Sequence, residues 1–259
     1  MVLGILSIAV ILLVTVFAPL PHDPLEVNPY NTLQPPSADH WFGTEQNGAD
    51  VFSRVIAAAR LDVPLAMLGA AAAAILGVPL GLLASASGRA STLILRALDI
   101  FQSFPLVVLA IVLIAMAGNN LSNVVYAIVL VSTPAFIRLV RSEALTVRAT
   151  RYVEAAQALG ASQSRVTFVH VLPNVTGTIF TQLSIAVGGA ILTIAALAYI
   201  GVGIVPPTPS WGAMIRSGTQ FVATGQWWLA LYPGLAILIF VLSFNAIADG
   251  LNSLARSDD

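Results

Sequence analysis

This sequence predicts an all-α, polytopic membrane protein of six transmembrane helices, on three observations. Of its 259 residues 58% are apolar and only 9% are charged, against about 25% charged in a soluble domain. The apolar residues gather in stretches near the ~20 residues that a helix needs to cross about 30 Å of hydrocarbon. The arginines divide unevenly between the two sides that such spans define. With mean hydropathy at +0.90, the composition excludes a cytosolic enzyme, a disordered chain and a fibrous repeat. Eleven basic and 12 acidic residues give a net charge of −1, so there is no basic field for a nucleic-acid partner. The chain has no cysteine, which excludes disulfides, thiolate metal sites and a cysteine nucleophile.

Taken in order, the first span is Val2 to Ala18, closed by Pro19 and Pro21. It reads as a retained helix, because it lacks the positive leader and the small-residue cleavage site of a signal peptide. The segment from Pro19 to Arg60 is polar and irregular to about Gly48. From Asp50, Val51, Val55 and Ala58 recur near helical spacing, which predicts a short interfacial helix before the second span. Span two runs from about Val63 to Ala84, and span three from Leu93 to Ala117 with a kink expected at Phe104-Pro105. Span four covers Leu121 to about Leu139, span five Ile179 to Val205, and span six Trp227 to about Ile247. Residues 1–60 therefore form a first helix with an outer loop, and 61–259 a five-span core containing an inner loop at 140–174.

With both termini inside, Arg89, Arg96, Arg138, Arg141, Arg148, Arg151, Arg165 and Arg256 lie on the inner side. Arg54, Arg60 and Arg216 lie outside, so the bias favours the N-in, C-in orientation. Trp41, Trp211, Trp227 and Trp228 then fall near the outer face as an aromatic belt.

The inner segment from Val140 to Asn174 carries the most information. Tyr152, Ala155, Ala156 and Leu159 form an apolar stripe at helical spacing, with Arg151, Glu154 and Gln157 off it. Gly160 can end that helix in a left-handed conformation, and Ser162 can cap a second helix. The second helix would turn Val166, Val169 and Leu172 inward and stop at Pro173. Pattern alone leaves two roles open, a seal on the end of the bundle or a knob on which another protein docks.

The run Glu154-Ala155-Ala156-Gln157-Ala158-Leu159-Gly160, followed after nine intervening residues by His170-Val171-Leu172-Pro173, resembles the EAA loop of ABC importer permeases. His170 departs from the general pattern, and His-x-Leu-Pro-Asn is similar to the dipeptide, oligopeptide and nickel branch. Gly43-Thr44 with Gly48, Asp50-Val51 and Ser53-Arg54 resembles the segment after the first span in that branch, with Ala49 where Arg is common. Pro206-Pro207-Thr208-Pro209-Ser210-Trp211-Gly212 resembles its loop before the last span, and Phe244-Asn245 with Asp249-Gly250-Leu251 its C-terminal end. The likeness extends over most of the chain from Gly43 and is to the second permease subunit, whose members usually start with a longer cytoplasmic tail.

The resemblance implies a permease in the inner membrane of a prokaryote. It implies a homologous permease as partner, two ATPase domains that bind the EAA loops, and a substrate-binding protein docking outside. The cargo implied is a di- or oligopeptide, with nickel, haem or glutathione as alternatives. ATP and Mg would sit on the partner subunits, with no cofactor in this chain. The coupling residues implied are Glu154, Ala155, Ala156, Gly160, His170, Leu172 and Pro173; the outer-gate or binding-protein loop would use Pro207, Pro209, Trp211 and Gly212.

The residues themselves fit this picture. The chain has no lysine and so cannot form an ordinary P-loop. Asp99 and Asp249 lie near the inner ends of their spans, and no carboxylate is obvious at mid-membrane, where proton-coupled carriers keep one. A stand-alone secondary transporter or channel is the main alternative. An intramembrane hydrolase would need a paired nucleophile and base within spans, and none is seen. Glu154 has Arg151 as its one helical partner for a surface ion pair. No metal site is expected: His22 and His40 are separated in the outer loop, and a site would need them gathered on one face. Gly77, Gly81 and Gly188-Gly189 allow close helix approach, and Asn119, Asn120 and Asn123 shape a tight outer turn.

Overall fold

The computed structural model describes residues 2–86 and 88–257. Its helices are α1 (Val2–Phe17), α2 (Val51–Ala84), α3 (Arg89–Gln102), α4 (Leu106–Ala117), α5 (Leu121–Arg148), α6 (Arg151–Ala158), α7 (Gln163–Tyr199), α8 (Trp211–Thr219) and α9 (Trp228–Ser257). Short 3-10 turns occur at Pro29–Asn31 and Val222–Thr224. Among the described residues there is no strand, only an isolated bridge between Thr44 and Asp50. The all-α expectation holds.

Helices α2, α5, α7 and α9 are long and apolar enough to cross a membrane. Helices α3 and α4 form a fifth crossing only as a bent pair, at 82° to each other. Span three was expected as one kinked helix and is instead broken. Pro105 cannot donate to the ladder, and the residue before a proline is pushed out of the helical region; Ser103 ends α3 and Pro105 begins α4. Helix α1 is apolar but has 16 residues, about 24 Å of rise.

Three further boundaries differ from expectation. The interfacial helix is not separate, because residues from Val51 form the first turns of the 34-residue α2. Its stripe of Val51, Val55 and Ala58 is buried in protein. Asp50 starts this helix by accepting from Ser53 N at 2.8 Å. Span five begins far earlier than Ile179, since Pro173 does not stop the second inner helix. Val166–Val171 are wound as a π-helix, and this wider turn relieves the clash between the proline ring and the preceding carbonyls. Helix α7 then ends at Tyr199 rather than Val205. Span four, expected to end near Leu139, runs as α5 to Arg148 and enters the inner loop. An unexpected short helix, α8, lies between the last two long helices.

The core is a contact of α2 with α5, flanked by α7 and α9, with α1 against α9 and α4 against α5. Glycines allow α2 and α5 to approach: a Cβ at Gly77 would meet Phe136 Cβ at 2.5 Å, and one at Gly81 would meet Val140 Cβ at 2.8 Å. The expected role of Gly188-Gly189 is not realised, since a Cβ at Gly188 would make only ordinary contact and one at Gly189 none. A second, smaller cluster of Leu82, Val140, Ala144, Val153, Val166, Val171 and Val175 lies beneath the inner loop.

Candidate functional site: an exposed helical knob opposite a braced outer end

Hydrogen bonds sort the connecting segments into two ends, named inner and outer after the orientation expected from the arginines. At the inner end, α5 passes through Ala149 and Thr150 into α6, and α6 closes in a Schellman motif. Gly160 has φ +87°, Gly160 N donates to Gln157 O at 2.9 Å, and Ala161 N donates to Ala156 O at 3.0 Å. A Cβ at Gly160 would have nothing within 4 Å, so the backbone conformation alone requires glycine. Ser162 caps the next turn by accepting from Arg165 N at 3.3 Å. The predicted helix, turn and helix are present.

The faces of these two helices differ from the sequence expectation. The stripe of Tyr152, Ala155, Ala156 and Leu159 does not face the bundle: Val153 is the buried residue of α6, and Leu159 is 90% exposed. Ala155 and Glu154 are exposed and Ala156 half-buried. On the second helix Val166 is buried as expected, but Val169 is exposed and Leu172 half-buried. The π-winding shifts the inward positions from a spacing of three or four to five, so Val171 takes the place expected for Val169. Pro173 is exposed. His170 lies edge-on to Tyr152 with ring centroids 6.1 Å apart. Its carbonyl accepts from Asn174 Nδ2 at 2.6 Å, and that Nδ2 also donates to Tyr152 Oη at 3.2 Å. The ion pairs among the described residues are His40–Asp50 and Arg54–Glu45; Arg151 and Glu154, which helical spacing would allow to pair, do not. Leu159, Tyr152, Phe168 and Val169 thus present an apolar surface around a tight turn.

Arginines tie this knob to the helices above it. Arg148, the last residue of α5, donates to Ser85 Oγ at 3.1 Å, Gln163 Oε1 at 3.2 Å and Thr167 Oγ1 at 2.6 Å. Arg141 donates to Ala84 O at 3.2 Å. The C-terminal end of α2, α5 and the start of α7 are therefore joined at one residue. Arg256, counted on the inner side, has a side chain outside the described residues.

The opposite end is closed. Asp62 of α2 is 1% exposed; its Oδ2 accepts from Trp211 N at 2.9 Å and Ser210 Oγ at 3.2 Å. A carboxylate thus sits at the N-terminus of α8, where the free backbone N–H groups and the helix dipole favour negative charge. Trp211 Nε1 donates to Val55 O at 3.0 Å, and a Cβ at Gly212 would fall on the backbone of Ala195. Of the four outer-loop residues singled out in the sequence, only Pro207 is exposed; Pro209, Trp211 and Gly212 are buried in this packing. Trp228 is buried too, which leaves Trp41 and Trp227 of the expected aromatic belt. Arg54 donates to Glu45 Oε1 at 2.9 Å and Pro24 O at 2.8 Å. Burial pushes the Glu45 carboxyl above its ordinary value, against the pull of the Arg54 guanidinium.

The asparagine turn does more than expected. Asn120 caps α5, Asn123 Nδ2 donates to Gly118 O at 2.7 Å, and Asn119 Oδ1 accepts from Gly203 N at 2.9 Å. Sequence reasoning missed Asp62. A charged residue at the start of an apolar run was its one signal, and its partners are some 150 residues away in the chain. It also missed that the fold brings His22, His40 and Asp50 together.

Known proteins resemble this chain in sequence and in fold. The chain is 41% identical over 253 residues to the dipeptide transport system permease protein DppC of Alkalihalophilus pseudofirmus, covering 96% of this chain and 83% of that protein. It is 39% identical to the probable D,D-dipeptide transport system permease protein DdpC of Escherichia coli, covering 95% and 84%. The glutathione transport system permease protein GsiD of Pectobacterium atrosepticum is 34% identical, covering 90% and 77%. The fold is similar to a solved chain of the MetNI methionine ABC transporter in an inward-facing conformation, with TM-score 0.63 and 17% identity over 79% of this chain and 95% of that one. Residues 77–256, from the second half of α2 to the end of α9, match the family described as binding-protein-dependent transport system inner membrane component. The chain belongs to that family: it is a multi-pass inner-membrane component of a binding-protein-dependent transport system.

Proposed function

We propose that this chain is one of two homologous permease subunits of an ATP-driven importer, and that it carries di- or oligopeptides delivered by an extracytoplasmic binding protein. The observation that supports this most is the exposed turn at Gly160, flanked by Leu159, Tyr152, Phe168 and Val169. Apolar side chains exposed in a cluster at the end of a bundle favour a protein partner over water. In this reading two ATPase domains, with ATP and Mg bound between them, grip this knob and its counterpart on the second permease. This chain itself holds no cofactor and performs no hydrolysis.

Closure of the ATPases moves the knobs, and the Arg148 bonds to Ser85, Gln163 and Thr167 pass that movement to α2, α5 and α7. ATP then biases the bundle between inward-open and outward-open states by its differential affinity for them. Glu154, Ala155, Ala156, Gly160, His170, Leu172 and Pro173 are the residues of this coupling surface, and Pro207 at the exposed outer tip is the contact for the binding protein. Six crossings, with α1 as the first, and both termini inside complete the arrangement. Peptide cargo follows the names of the dipeptide relatives; the glutathione relative keeps a modified tripeptide as the alternative.

The test is gentle purification of the tagged chain from its native membrane, with mass spectrometry of its companions. ATPase subunits and a second permease are expected. A homo-oligomer without any ATPase would overturn the reading and favour a secondary transporter.

A further inference from the structure

The outer loop gathers His22, His40 and Asp50 so that one ligand atom from each lies within 4.8 Å of the others. We propose that these three residues bind a divalent transition-metal cation of the zinc type, which fastens the segment after α1 to the N-terminus of α2. The proposal is independent of the transport reading.

Two imidazoles and a carboxylate are the donors that Zn²⁺ accepts, at about 2.0–2.2 Å each. Their arrangement is already close to a ligand set. His40 Nδ1 and Asp50 Oδ1 are 2.9 Å apart and share one proton. When a cation binds, Nδ1 gives up that hydrogen and the imidazole carries its one N–H on Nε2, so His40 coordinates as the neutral ring and Asp50 as the carboxylate. The His22 ring lies against that of His40, with centroids 4.6 Å apart. It supplies the third ligand.

The groups behind the ligands hold them in place, as metal sites generally require. His22 Nε2 donates to Asp39 O at 3.0 Å, which leaves Nδ1 with its lone pair for the metal. His22 N donates to Ser53 Oγ at 3.2 Å, and Ser53 N donates to Asp50 Oδ2 at 2.8 Å. Ser53 therefore fixes two of the three ligands from one position at the start of α2. The ligands open on a recess of about 200 Å³ that Asp23 and Glu26 also line. Those carboxylates attract a cation, and the space admits a water as fourth ligand. A plain His40–Asp50 hydrogen bond explains neither the second imidazole nor the carboxylates facing the same recess.

The site is tested on the full chain, purified in detergent with a tag free of histidine and stripped with EDTA. Calorimetric titration with Zn²⁺ should give one ion per chain, and His22→Gln should weaken binding roughly tenfold or more. His22 is half-buried, so this variant is chosen over His40→Gln, which would disturb a buried side chain. A thermal melt without metal checks that H22Q folds like the parent. At a Zn²⁺ concentration that just saturates the parent, the melting temperature of the parent should rise clearly more than that of H22Q, because stabilisation grows with the ratio of ligand concentration to dissociation constant. Equal Zn²⁺ affinity in parent and variant, or no stoichiometric binding to the parent, would overturn the proposal.

Discussion

At the outer end, Asp62 Oδ2 and Trp211 bond across some 150 residues of chain, Arg54 reaches Pro24 as well as Glu45, and Asp50 bonds His40 and Ser53 nearby, while Asp62 Oδ1 is buried without a partner. At the inner end, the turn at Gly160 leaves Leu159 90% exposed and Glu154 without an ion pair. The outer end pins α2, α7, α8 and α9 together, so that sequence-distant segments become one body. At the inner end the turn itself is shaped by local bonds, the Schellman motif and the Ser162 cap, over a small apolar cluster, and Arg148 and Arg141 bond its flank to the end of α2. Local bonds preserve a shape while leaving its surface free for a partner; long-range buried bonds preserve the relation between helices and leave little surface to offer.

If this contrast holds, substitutions at the two ends should separate stability from coupling. Gly160→Asp should have the largest functional effect, with ATPase stimulation and transport both lost in the assembled complex. A non-glycine residue at φ +87° strains the turn by about 1–2 kcal/mol, and nothing is present for the new side chain to clash with. The isolated chain should therefore melt only slightly lower. A large fall in melting temperature with coupling retained would remove the distinction.

Asp62→Ala should show the opposite pattern. It strips the acceptor from Trp211 N and Ser210 Oγ in a buried site, at a cost of about 2–4 kcal/mol for two unsatisfied donors. A clear drop in melting temperature in detergent is expected, and an unchanged melt would show that the outer brace is not what joins α2 to α8. Leu159→Glu sharpens the other arm. It should weaken ATPase co-purification while leaving the melt unchanged, because the side chain touches little within the chain.

The smallest effect concerns Glu45. Its folded-state pKa is raised above the unfolded value, chiefly by burial, so the folded state holds the proton more tightly. Stability should rise as pH falls from above the raised value towards the ordinary glutamate range, and Glu45→Gln should flatten that rise. Melting curves of the parent and E45Q across this window measure it, and identical pH profiles would remove the assigned role.

Much of the molecule was legible in sequence because hydrocarbon leaves a chain few choices. Backbone groups must be satisfied within each span, so long apolar runs become helices, and α2, α5, α7 and α9 lie where those runs lie. The helix-turn-helix was legible for a related reason: Gly160 and Ser162 act through their own backbone neighbours. Whatever depended on distant partners was not. Proline signals were read with the wrong strength at two places: Pro105, expected to kink a helix, breaks it, and Pro173, expected to stop one, stays within α7, where local π-winding absorbs it. Val169 was assigned to the wrong face because a π-turn changes the period that the pattern assumed.

The sequence by itself determined the helical class, the long spans, the capped turn of the knob and the family resemblance, since each rests on local composition or spacing. Only the tertiary structure decided that Trp211 and Gly212 are packing rather than surface, that Asp62 braces α8, and that His22, His40 and Asp50 meet. Those facts depend on which helices touch, and contact between residues up to some 150 positions apart is fixed by packing of the whole bundle, not by any local pattern.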